Sequence, residues 1–127
     1  MNYEEISDKL KQIKIEDYIW IIYIGIIALS YYSNSLEKKY FLFNDLKAKE
    51  KYRETLIIIF IILLIVYFYF FKDSLDDVLN LKETDSDEKI RLTYLSFIGS
   101  SLILISGIIF LYIAFKDKDI NVELAFN

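Results

Sequence analysis

The sequence predicts an all-α integral membrane protein, with three transmembrane helices in a small bundle and a short amphipathic helix at the N-terminus. Three observations carry this expectation. The runs Tyr18 to Tyr32, Leu56 to Phe71 and Leu92 to Phe115 hold no charged side chain, although charges crowd the segments between them. Their edges are aromatic, as membrane–water boundaries favour. The chain has no Pro and only three Gly, so each run reads as an unbroken helix.

Bulk composition alone would pass for a soluble protein, at 55% apolar and 27% charged. Segregation decides otherwise. A soluble helix keeps polar residues on one face, whereas these runs are apolar all round. In 127 residues there is too little remaining chain to cover three such helices. On insertion scales each central Leu, Ile, Phe or Val contributes roughly −0.3 to −0.6 kcal/mol, and a charge costs about +2.5 to +3.5. The second run, nearly all Ile, Leu and aromatic, inserts most favourably. The first is marginal, since its fifteen residues reach about 22 Å against a hydrocarbon core of about 30 Å.

The domain is therefore read as single and divided by boundaries at 1–16, 17–33, 34–54, 55–72, 73–91, 92–116 and 117–127. In 1–16, Ile6, Leu10 and Ile13 recur at helical spacing between charged positions, which predicts a separate helix lying at the lipid interface. A coiled-coil contact is the alternative, on fewer than two heptads. Ala28-Leu29-Ser30 resembles a leader cleavage site, but the preceding segment is long and acidic rather than short and basic, so the run is read as a retained span.

Segment 34–54 is basic and amphipathic. Leu36, Tyr40, Phe43 and Leu46 are surrounded by Lys38, Lys39, Lys47, Lys49, Lys51 and Arg53, which predicts a helical extension of the spans or an interfacial hairpin. Glu37, Asp45, Glu50 and Glu54 dilute that charge, so anionic lipid is the expected partner and nucleic acid is not. Segment 73–91 is acidic. Ser74 with Asp77 predicts the cap of a short helix over 75–81, and Thr84 with Asp87, or Asp85 with Glu88, the launch of the third span.

Candidate contact residues concentrate in the third run. Thr93, Ser100, Gly107 and Ala114 recur every seven residues, Ser96 follows Thr93 by three, and Gly99 and Ser106 flank the row. In lipid, small residues let backbones approach and hydroxyls bond across the contact. The matching patch is Gly25 with Ala28 on the first span. Self-association of the third helix, or a hydroxyl-lined pore wall, are the competing uses of the same row. The second run has no small residue and reads as a lipid-facing helix.

Chemistry is bounded by absences. There is no Cys and no His, which removes thiolate nucleophiles, iron–sulfur ligation, imidazole acid–base chemistry and imidazole metal sites. The carboxylates of 73–91 lack the central Gly of a calcium loop. No ionisable group lies inside any run, so an intramembrane hydrolase would lack its base and a proton-coupled carrier its relay. No enzyme, cofactor or metal is expected.

The expected function is that of a non-catalytic membrane protein working through helix contacts, as an accessory, regulatory or immunity-type subunit. A homo-oligomeric channel lined by the third span is the alternative. Its partners are the bilayer and either further copies of the chain or another membrane protein. High Ile and Lys usage points to an AT-rich, bacterial genome and hence to the cell membrane. Lys and Arg number eight on the side of 34–54 and the C-terminus against seven opposite, a slight preference for the former as cytoplasmic.

Overall fold

A computed structural model describes residues 2–124. It is all helical, with α1 over Tyr3–Phe43, α2 over Leu46–Leu79 and α3 over Asp87–Lys116. Two of the three, α2 and α3, are long and apolar enough to cross a membrane.

The helices start and stop where local chemistry demands. Asn2 caps α1 in a reciprocal box: the Glu5 amide donates to Asn2 Oδ1 at 2.9 Å and the Asn2 amide to Glu5 Oε2 at 3.3 Å. α1 ends at Asn44, which adopts the left-handed conformation (φ 51°) that Asn tolerates at a helix C-terminus. The next residue, Asp45, already caps α2 by accepting the amides of Lys47 and Ala48. Asn44-Asp45 thus folds α1 and α2 into a tight antiparallel hairpin. Ser86 caps α3 through the Lys89 amide at 3.1 Å, with Asp87 and Glu88 in the first turn and Lys116 in the last, as the helix dipole favours.

These boundaries correct four expectations. Residues 3–16 are not a separate helix but the first four turns of α1, since neither Gly nor Pro interrupts the chain before Gly25. Segment 34–54 is helical apart from Asn44 and Asp45, so of its two readings the extension of the spans is the one seen. Ser74 caps nothing: it is buried within α2, and its hydroxyl donates to the Phe71 carbonyl. Residues 75–79 simply finish α2. The cap of α3 is Ser86, while Asp85 closes the turn before it by accepting the Lys82 amide at 2.8 Å.

α2 lies between α1 and α3, and α1 and α3 make no helix contact with each other among the described residues. The reading of α2 as lipid-facing is therefore overturned. It carries most of the core, including Tyr52, Leu56, Ile59, Phe60, Leu63 and Val66. The reason is its place in the topology: the tight turn at Asn44-Asp45 and the short connection over 80–86 bring both neighbours onto it, so bulky residues on two faces are consumed in packing.

Both flanking helices meet α2 along heptad seams. On α1, Gln12, Glu16, Ile19, Tyr23, Ile26, Ser30, Ser33, Glu37 and Tyr40 are buried or half-buried, alternating in steps of four and three. On α3 the same alternation runs through Ile90, Thr93, Phe97, Ser100, Leu104, Gly107, Leu111 and Ala114. A 3.5-residue period keeps one face toward a partner only if the helices wind left-handed about each other. Ring contacts fix the register of α3, with Phe60 against Phe110 at 5.9 Å and Phe71 against Phe97 at 5.5 Å.

Candidate functional site

The heptad row of α3 faces α2, not α1. Gly107 is buried, and a Cβ placed there would come 2.9 Å from Leu64 Cδ2 and 3.0 Å from the Tyr67 ring. Ala114 is buried in the core cluster with Tyr52 and Leu56. Ser100 is half-buried, as is Thr93, whose hydroxyl donates to its own helix at the Lys89 carbonyl. Small residues at one heptad position let α3 approach α2. Ile90, Phe97, Leu104 and Leu111 at the other position fill the space between, and the sequence reading missed that second row.

The remaining candidates lie elsewhere. Gly99 is exposed with open space around it, and Ser106 is exposed with its hydroxyl bonded to the Leu102 carbonyl. Ser96 lies with Thr93, Asp77 and Lys89 on a wide opening of about 670 Å³ where α2 and α3 diverge. Gly25 and Ala28 are exposed on α1, and Gly25 touches nothing beyond its own helix. Packing of the third helix against Gly25 and Ala28 is therefore corrected. α2 separates them, because α1 and α3 attach to different faces of it.

Where α1 and α3 stand on either side of α2, they leave a groove. Three adjoining cavities make it up, each sharing walls with the next. The first, about 180 Å³, is lined by Glu16, Ile19, Trp20, Tyr23 and Phe70. The second, about 240 Å³, runs from Tyr23 and Phe70 to Tyr67, Ser100 and Ile103. The third, about 270 Å³, continues past Gly107 and Ser106 to Phe60 and Phe110. The lining is mainly aromatic and aliphatic, with the hydroxyls of Ser100 and Ser106 along it and Glu16 at the mouth of one end. Gln12 and Asp73 bridge α1 and α2 at this end, 2.8 Å from nitrogen to oxygen. Partial burial pushes the Asp73 carboxyl above the usual range, and the charges of Asp77, Glu16 and Asp76 add to it, while the Gln12 bond works against the shift.

At the opposite end the C-terminal segment folds back over α2. Asp117 accepts the amides of Asn121 and Val122 at 2.9 and 2.8 Å, and these bonds hold its carboxyl below the usual range. Leu124 is buried in the core cluster, and Lys49 pairs with Asp119 at 3.3 Å. Arg53 Nη2 donates to the Phe115 carbonyl at 3.3 Å, tying α2 to the end of α3.

The groove residues were readable in principle. Gln12, Glu16, Ile19, Tyr23 and Ile26 already alternate four and three in the sequence, but the change of composition at residue 17 hid the continuity. No group of His, Cys, Asp or Glu among the described residues is arranged to hold a metal ion. No family model matches the chain, and no curated protein or solved structure matches it.

Proposed function

We propose that this is a three-span membrane protein whose work is non-catalytic contact, as an accessory, regulatory or immunity-type subunit, with spans at 17–33, 55–72 and 92–116. The supporting observation is that the aromatic edges of the three runs come close to level. At one end Trp20 and Phe70 share a cavity and Phe71 touches Phe97, inside the third run by about 7 Å, so the ends of the three runs fall within about a turn and a half of one another. At the other end Arg53, beside Tyr52, reaches Phe115, and Leu36, four residues after Tyr32, joins Tyr52 in the core. From Tyr52 to Phe71 is about 28 Å along α2, close to the thickness of a bilayer core of about 30 Å.

The contact reading rests on α3. It buries only Gly107 and Ala114, while Leu95, Ile98, Leu102, Ile105 and Ile109 on its outer side are more than half exposed. In a bilayer that side meets either lipid or a neighbouring membrane protein. The hydroxyls of Thr93, Ser101 and Ser106 are spent on carbonyls of their own helix, which leaves little for a hydrated wall. The channel reading keeps the exposed Ser96 and Gly99 as its support.

Topology is tested by single cysteines, since the chain has none of its own. Asp45→Cys and Val122→Cys should label from one side of the membrane and Asn80→Cys from the other, with 45 and 122 cytoplasmic. Labelling of 45 and 80 from the same side refutes three spans. Reconstitution then separates the two functions. A non-conducting particle without a ring stoichiometry supports contact, and a conducting ring of several copies overturns it.

A further inference from the structure

We propose that the groove between α1 and α3 binds an alkyl chain carrying an ammonium head, with the chain along Tyr67, Ile103 and Phe110 and the head at Glu16. The shape supplies the first argument. The cavities follow one another along α2 and are lined mainly by rings and aliphatic side chains, with the hydroxyls of Ser100 and Ser106 among them, so they suit an extended hydrocarbon rather than a compact polar solute. Glu16 is half-buried at the mouth beside Trp20 and Phe70. A carboxylate sharing a cavity with aromatic rings is a combination that takes up an ammonium group, through charge and through the attraction of a cation to an aromatic ring.

Charge gives the second argument. Among the described residues neither Glu16 nor Asp73 has an ion-pair partner, the ion pairs being Lys49–Asp119 and Lys89–Asp85. The segments at this end, 1–17 and 72–91, carry twelve acidic side chains and seven basic ones. The field at the mouth therefore attracts a cationic head and repels an anionic one of the same length. The side chain of Gln12 is committed to Asp73, which leaves Glu16 free to receive the ligand.

The chain carries its own reporter, since Trp20 at the mouth is its single tryptophan. The full chain in dodecyl maltoside micelles is titrated with dodecyltrimethylammonium, with dodecyl sulfonate at matched mole fraction, and with tetramethylammonium as the head alone. The expected result is a saturable change in Trp20 emission with the long-chain cation only. Glu16→Gln, nearly isosteric, should weaken that response about tenfold, and Ser100→Phe should block it by filling the groove. An equal response to the sulfonate, or an unaltered titration of Glu16→Gln, overturns the proposal. If circular dichroism shows that Ser100→Phe loses helix, the Glu16→Gln titration decides alone. The inference rests on the membrane reading only for where the ligand comes from. Release of the protein from vesicles by alkaline carbonate would overturn that reading and leave the groove titration to stand or fall by itself.

Discussion

Gln12 Nε2 donates to Asp73 Oδ2 at 2.8 Å, a side-chain hydrogen bond that joins α1 to α2. It lies where Glu16, Asp76 and Asp77 crowd the same carboxylate. The bond favours the ionised form, yet burial and the neighbouring charges outweigh it, and the Asp73 pKa is raised. A carboxyl that binds its proton more tightly folded than unfolded stabilises the fold in acid. That contribution is complete below the unfolded value of 3.8 and fades as pH rises through the higher folded value. Thermal stability in detergent should therefore improve at this end as pH falls from 7 toward 4.

Asp73→Asn should remove that pH dependence and melt at least as high as the parent at pH 7, because the amide oxygen still accepts from Gln12 and the repulsion is gone. Gln12→Leu should have the opposite profile, leaving an unbonded carboxylate and steepening the loss of stability with pH. Melting curves of the three proteins across pH 4 to 8 check both. A flat profile in the parent would contradict the assignment.

Gly107 and Gly99 offer an internal control, being alike in type and on the same helix but differing in surroundings. A methyl at Gly107 meets Leu64 and Tyr67 at 2.9–3.0 Å, so Gly107→Ala should cost about 1 kcal/mol and Gly107→Leu about 1–3 kcal/mol, as overpacking does. A methyl at exposed Gly99 meets nothing within 4 Å, so Gly99→Leu should leave the isolated fold unchanged. If the uncovered side of α3 binds a partner, Gly99→Leu alters assembly without altering the monomer's melting temperature. Melting and cross-linking of the two variants, measured together, separate the roles.

The contrast between these glycines shows what the sequence could and could not reveal. The seven-residue row through Thr93, Ser100, Gly107 and Ala114 marks a packing face because small residues let helix backbones approach in lipid and the second run has none. Its partner was misassigned, because composition alone suggests that small faces small. In the fold, Gly107 receives Leu64 and the Tyr67 ring instead, knob into hole. All-helical architecture and a break before the third run were legible from charge segregation, but the short helix expected over 75–81 is the end of α2 and the chain leaves it at Asn80. The fusion of 3–16 with the first span was not, since a polar heptad seam through Gln12 and Glu16 is invisible to a hydropathy reading. Nor was the folding back of the C-terminal segment, which depends on Asp117 capping two amides and on burial of a single leucine.

Leu124 is that leucine, 5% exposed and packed with Tyr52, Leu56 and Ala114. It is the only residue of the segment after α3 that is fully buried among those described, so it anchors the fold-back, with the exposed Lys49–Asp119 pair adding little. Leu124→Ala should cost about 2 kcal/mol, at the low end for a truncated core leucine because a segment outside the helices can relax around the gap. The more direct readout is proteolysis. Lys116 and Lys118 are already exposed, and release of the segment lets the backbone around them open into a protease, so trypsin should cut there faster in Leu124→Asp than in the parent, with helix content retained. Asp117→Ala should act in the same direction, since it removes the acceptor for the Asn121 and Val122 amides and so the turn that aims Leu124 inward. Cleavage at equal rates in all three proteins would show that the segment is held by something other than this leucine and this turn.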